Sequence, residues 1–218
     1  IKIELQNFLK ESGDTPGSRK TFIYNTFEKL MKAISKSLKK NDPNHLNLGI
    51  RYGYIEQLDD ELLRISKESF DALSFNCYAL SPDHEKMNHA LEISGLPMII
   101  GEYHFGTVDR GLAQSLWQVN SQKERGDAFR YYTENAFAHR GLIGTGWFRW
   151  IDQNINGRTD GENYNCGFID VTDRPYPYMV DAAIETAKSL YEIHSGTKTP
   201  FHQAPNAVGH SPIPDLWE

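Results

Sequence analysis

An α/β fold built on a parallel sheet, half of a (β/α)8 barrel, is what this sequence predicts. Strand-like and helix-like segments alternate four times, the pattern of successive βα units. Polar, aromatic and acidic residues collect where each strand would end: Arg51, Asn76 and Tyr78, Glu102 and His104, Trp147 and Trp150. In a (β/α)8 barrel the active site is built at that end of the strands. No glycine-rich phosphate loop follows any strand, which sets the doubly wound nucleotide folds aside. A barrel of ordinary length runs to about 250 residues. Four units in 218 residues therefore read as the second half of one.

Taken in order, residues 1–9 are amphipathic and end a helix at Ser12-Gly13-Asp14. Arg19 to Lys40 places Ile23, Phe27, Leu30, Ile34 and Leu38 at helical spacing, with the lysines between Lys29 and Lys40 on a solvated face. Pro43 stops it, because proline disfavours helix in the residue before it. Leu46 to Tyr52 reads as the first strand and Leu58 to Ser66 as a short helix, with three acidic residues in its first turn to suit the helix dipole. Ala72 to Tyr78 is the second strand and Pro82 to Ser94 the next helix. The run from Pro97 to Gly106 is the third strand, apolar through Ile100 as a doubly covered parallel strand should be. A longer loop with Trp117 and Gln118 leads to a helix over Lys123–His139, with Phe129, Tyr132, Ala136 and Phe137 on one face. Leu142 to Trp150 is the fourth strand. The last helix starts near Pro177 with a stripe of Met179, Val180, Ala183, Ile184, Ala187, Leu190 and Tyr191. Residues 1–194 form the half-barrel, and 195–218 a proline-containing tail that wraps a surface, with Trp217 as a packing residue.

Composition excludes several classes. The formal net charge of -6 leaves no basic stripe for nucleic acid or an anionic membrane, and no apolar run approaches the roughly 20 residues of a membrane span. Two cysteines, Cys77 and Cys166, make no disulfide framework and are expected to be free, partly buried thiols. His84 and His89 stand five apart, so they miss the i, i+4 spacing of a zinc-binding helix. No metal or other cofactor is expected. Position 1 is Ile and no signal peptide is visible, so the sequence reads as a fragment or a processed product.

The chemistry centres on Glu102. A carboxylate ending a buried strand costs several kcal/mol unless it is paired, so it is either an ion-pair partner or a working group. Around it stand Tyr78, two residues past Asn76 on the preceding strand, and Trp147 on the following one. Aromatic faces stack on the apolar C–H faces of sugar rings, and Asn, Arg and Asp bind hydroxyls. Glycoside hydrolysis needs two carboxylates, and Glu102 alone is a strong candidate. Asp152 and Glu162 lie in polar surroundings better suited to hydroxyl binding, and Glu56 ranks lower.

Three segments carry a resemblance. Gly101-Glu-Tyr-His-Phe-Gly-Thr-Val-Asp-Arg-Gly111, Gly157-Arg-Thr-Asp-Gly-Glu-Asn-Tyr-Asn-Cys-Gly-Phe168 and Asp170-Val-Thr-Asp-Arg-Pro-Tyr-Pro177 look like the exo-β-agarases of glycoside hydrolase family 50. The likeness covers roughly residues 44–194. It implies retaining hydrolysis of β-glycosidic bonds in an agarose-like galactan, on strands five to eight of the barrel. Glu102 then falls on the nucleophile, Tyr78 on the tyrosine that hydrogen-bonds it, and Trp147 on the aromatic floor of the sugar site. Arg51, Asn76, His104, Trp150, Asp152, Glu162 and Asn163 complete the expected substrate-binding set, His104 either touching substrate or bracing Glu102. The acid/base would lie upstream of Ile1, on an N-terminal half-barrel segment or chain, and the family points to a secreted or periplasmic protein. Gly146-Trp-Phe-Arg149 departs from the family's His-Trp-Phe-Gln run, which leaves linkage and substrate open. A β-galactosidase or other barrel β-glycosidase, and a non-catalytic carbohydrate-binding protein, are the competing readings.

Overall fold

A computed structural model describes residues 1–209. Trp217 and the rest of 210–218 lie outside the described residues. Two helices come first, α1 (Lys2–Ser12) and α2 (Pro16–Asn41). The second begins ahead of the expected Arg19 because the Thr15 side chain accepts from the Ser18 amide and Pro16 sits in the first turn, where its missing N–H has no partner to lose. The βα units follow: β1 (Arg51–Tyr52), α3 (Asp60–Ser69), β2 (Leu73–Asn76), α4 (His84–Ser94), β3 (Met98–Tyr103), β4 (Trp117–Gln118), α5 (Gln122–Phe137), β5 (Leu142–Trp147) and α6 (Pro177–His194). A short β6 (Val208–Gly209) comes last.

The main sheet has the order β1-β2-β3-β5, and every pairing in it is parallel. Register places Arg51, Ser74, Ile99 and Gly144 in one row and Tyr52, Phe75, Ile100 and Thr145 in the next, and beyond a register shift Asn76 pairs with Glu102. Leu73, Phe75, Met98 and Ile100 point the other way, into a core they share with Leu63, Met87, Tyr132 and Met179 from the helices. The expected first strand is shortened to two residues. Gly49 takes a left-handed φ of 72°, and Asn47 is tied to Asp71 and Ser69, so the backbone before Arg51 is committed elsewhere. The fourth strand also ends early, at Trp147, where the chain leaves the sheet: Phe148 N–H donates to Tyr103 O and Arg149 N–H to Cys166 O.

The helices differ according to their place in the layer. Phe129, Tyr132 and Ala136 of α5 are buried as their spacing predicts. The stripe foreseen on α2 is corrected: Ile23, Leu30, Ile34 and Leu38 face solvent, while Met31 and Ser35 are buried. On α6 the buried face is Met179, Ala182, Thr186, Ser189 and Ile193, and Ile184 and Tyr191 of the expected stripe are exposed. Helices α2 and α6 thus each keep exposed apolar residues, and the sheet edges at β1 and β5 have no further strand among the described residues. Among the described residues, no helix is long and apolar enough to cross a membrane.

Within the layer, α5 and α6 come close at Gly126, where an added Cβ would lie 2.5 Å from the Tyr178 carbonyl oxygen. Glycine inside a helix normally costs about 1 kcal/mol relative to alanine, so here the packing outweighs propensity. Gly126→Ala should therefore lower stability by about 1–3 kcal/mol through overpacking, despite the better helix former, and urea unfolding of the variant measures it.

Candidate active site

Glu102 lies near the end of β3 with a side chain only 18% exposed, and both its oxygens are engaged. Asn76 Nδ2 donates to Oε2 at 3.0 Å and the Tyr78 hydroxyl to the same oxygen at 2.9 Å. Arg51 Nη2 reaches Oε1 at 2.8 Å. Three donors from the ends of two neighbouring strands therefore fix one carboxylate. The Arg51 stem crosses the sheet face over Gly101, where an added Cβ would fall 2.3 Å from Arg51 Cδ; only a residue without a side chain leaves that passage open. Burial, then the charge and hydrogen bond of Glu102, push the Tyr78 phenol far above its usual range, so Tyr78 remains a donor at every working pH. Tyr54, just past β1, also has a raised pKa, from burial and from the charges of Glu56 and Glu102. It belongs to the site's surroundings, and no sequence signal marked it out.

His104 is buried, contrary to a role in touching substrate. Its Nδ1 pairs with Phe148 O at 3.1 Å, and the Leu116 amide donates to Nε2 at 3.2 Å. That pairing assigns the proton to Nδ1. Its ring meets Tyr78 edge-on at 5.0 Å and Tyr164 at 5.8 Å. Burial drives its pKa down to about 3, the Arg125 charge pushing the same way against the Phe148 hydrogen bond. His104 is thus neutral and lies against Tyr78, which donates to Glu102. Trp147 is half-buried, with its indole N–H given to Cys166 O at 2.7 Å and its ring against Tyr103, Phe129 and Phe168. Trp150 is exposed and stacks on Phe168. Glu162 pairs with Gln153 and Arg158, and its charge reaches Tyr78. Asn163 accepts the Ala113 amide.

Asp152 is not at the surface of the site. It is 4% exposed and accepts from Asn165 Nδ2, from the Gly167 amide at 2.6 Å and from the Tyr176 hydroxyl at 2.6 Å. Beside it Arg125 is wholly buried, its guanidinium donating to Phe105 O, Gln122 Oε1, Asn165 Oδ1 and Gly167 O and lying over the Tyr176 ring. Burial lowers the Arg125 pKa, with the Asp152 charge opposing. A buried charge must be paired and hydrogen-bonded to be tolerated, and this network does both while pinning the feet of the loop that follows β5. The sequence reading missed Arg125, although Gln122, Arg125, Phe129, Tyr132 and Ala136 recur every three or four residues along one helix face. Both cysteines are free and buried, Cys166 completely, and burial raises each thiol's pKa, to about 11 for Cys77 and about 12 for Cys166. His84 and His89 face different partners, Asn135 O and Asp60.

No protein-family model matches the chain. Over 165 residues it is 36% identical to β-agarase A of Vibrio sp. (strain JT0107), covering 72% of this chain and 16% of that protein. It is 34% identical over 170 residues to β-agarase B of the same organism, covering 75% and 17%. Among solved structures, the agarase AgWH50C matches with a TM-score of 0.76 at 34% identity, over 82% of this chain and 25% of its own. An exo-β-agarase matches with a TM-score of 0.76 at 32% identity, over 83% and 24%. The sheet is thus part of a TIM-barrel glycosidase fold, and the chain spans about a sixth of the length of the curated relatives it matches. The chain belongs to glycoside hydrolase family 50, the family of the β-agarases it matches.

Proposed function

We propose that this chain supplies strands five to eight of a retaining β-agarase-type barrel, with Glu102 as its nucleophile. The observation that carries the reading is the clamp on Glu102 by Arg51, Asn76 and Tyr78 at the C-terminal ends of adjacent parallel strands, where barrel enzymes build their sites. Oε2 already accepts two hydrogen bonds, so Oε1 is the attacking atom. It gives up Arg51, itself half-exposed, as the sugar arrives. Oε1 bonds to the anomeric carbon while the glycosidic C–O bond breaks and the leaving oxygen takes a proton from a second carboxylic acid. Water, deprotonated by that same group, then displaces Glu102 and restores it. The second carboxyl belongs on strand four, about 5–5.5 Å from Glu102 as retention requires. Asn76 and Tyr78 hold the carboxylate, and half-buried Trp147 offers the floor under the sugar ring.

The uncovered stripes of α2 and α6 and the open edges at β1 and β5 support a partner in this assembly, an N-terminal half-barrel of the same polypeptide or of another chain. Residues 1–194 are its complement, followed by the segment from residue 195 onward, described to residue 209. Exposed sheet edges and apolar faces are aggregation hazards, so residues 1–218 expressed by themselves should self-associate. A monomer in light scattering with one cooperative thermal transition would overturn the need for a partner.

In the completed barrel, Glu102→Gln keeps the shape and removes the nucleophile, so turnover of agarose oligosaccharides should fall by several orders of magnitude while they still bind. Azide added to Glu102→Ala should restore turnover and give a glycosyl azide of inverted anomeric configuration. Near-normal rates in Glu102→Gln on every β-galactan would make Glu102 a structural ion-pair partner, the role a non-catalytic sugar-binding protein would give it. Trp147→Ala should weaken binding and slow turnover together, as titration and initial rates would record; unaltered sugar affinity in a folded variant would return Trp147 to the core.

A further inference from the structure

We propose that residues 201–209 form a strap that positions the Tyr78–Glu102 pair by way of the loop after β3, an inference that rests on the proposed function of Glu102. Leaving α6, the chain lies along α5. The Phe201 amide donates to Glu134 Oε2, Asn135 Nδ2 donates to Phe201 O, and the Arg130 guanidinium covers the Phe201 ring at 4.5 Å. The strap then reaches the strand-end side of the sheet, where Asn120 Nδ2 donates to Asn206 O. There β6 pairs antiparallel with β4, Gly209 opposite Trp117 and Val208 opposite Gln118.

On its other side β4 is bonded to Gly106, through Gly106 N–H to Trp117 O and Val119 N–H to Gly106 O, each at 2.9 Å. The two residues of β4 are thus held between the strap and the chain two positions past His104. The residue before β4 is Leu116, whose amide donates to His104 Nε2. His104 abuts Tyr78, and Tyr78 donates to Glu102. Apart from the peptide bond between Leu116 and Trp117, every link from Gly209 to the carboxylate is a hydrogen bond or a ring contact. Gly209 is also the point where the strap meets an indole: an added Cβ would stand 3.1 Å from the Trp117 ring. A Cβ there already asks the Trp117 ring to give by a few tenths of an ångström, and a branched side chain asks for more.

A strap serving only stability would lower the melting temperature and leave the active-site constants alone. In the full-length protein, Gly209→Val should instead lower kcat about tenfold with KM nearly unchanged, and Gly209→Ala should lose less. His104→Ala should show a similar loss. Because both act on one chain of contacts, the double variant should fall short of the product of the two losses. The second readout is the His104 imidazole, followed by NMR with labelled histidine. Facing Tyr78, Tyr164, Phe148 O, the Leu116 amide and the Arg125 charge, it should stay neutral in the parent to about pH 3. In Gly209→Val it should titrate near the ordinary value of about 6.5. Unchanged kcat in Gly209→Val, fully multiplicative losses, or an unaltered His104 titration would each overturn the proposal. If the parent turns over no agarose oligosaccharide, the reading of Glu102 fails by itself. The strap is then judged on the titration alone: a released His104 keeps it and an unaltered one discards it.

Discussion

The carboxylate of Glu102 must be held, charged, at the end of a strand whose other residues are apolar, and much of the surrounding structure answers that demand. Hydrogen bonds to a charged group contribute about 1.5–3 kcal/mol each. Three of them from Arg51, Asn76 and Tyr78 offset a desolvation cost of several kcal/mol. The arrangement is directional as well as stabilising. Neutral donors crowd Oε2, and the one cation sits on Oε1, on a long flexible stem that can withdraw. Gly101 exists in this frame as the gap through which that stem passes.

The same demand is met beneath the loops by a buried pair of opposite charges. Arg125 and Asp152 do not touch; Asn165 stands between them, giving its amide hydrogens to the carboxylate and taking a guanidinium hydrogen on its oxygen. Their opposite charges share one hydrogen-bonded pocket with Gln122, Tyr176 and the Gly167 backbone, so neither is buried alone. Replacing one partner of such a set costs far more than replacing both.

Strand and helix order, and the gathering of Asn76, Tyr78 and Glu102 at strand ends, were legible because hydrophobic period and strand-end chemistry are local signals, whereas the Tyr78–Glu102 hydrogen bond was expected only from the resemblance to family 50. The tyrosine sits two residues past Asn76, and register then brings Asn76 opposite Glu102. What could not be read were contacts made across loops. Asp152 looked like a hydroxyl binder because its sequence neighbours are polar, yet those neighbours fold over it. His104 looked available because it follows Glu102 by two, but Leu116 and Phe148 close on both its nitrogens. The α2 and α6 stripes were correctly apolar and wrongly expected to be covered here, since period reports which face is apolar and not what meets it.

The loop after β5 is fastened at its feet and loose at its tip. Gln153, Tyr164 and Asn165 are bonded to one another or to the buried network, whereas Asn156, Arg158 and Asp160 bond within the loop's own turns. Such an architecture separates what inheritance must keep from what it is free to alter. Replacements and insertions between the feet would change the surface above the strand ends without disturbing the buried network below. Variation is most readily tolerated there, and library mutagenesis of the loop has its natural target in residues 154–162.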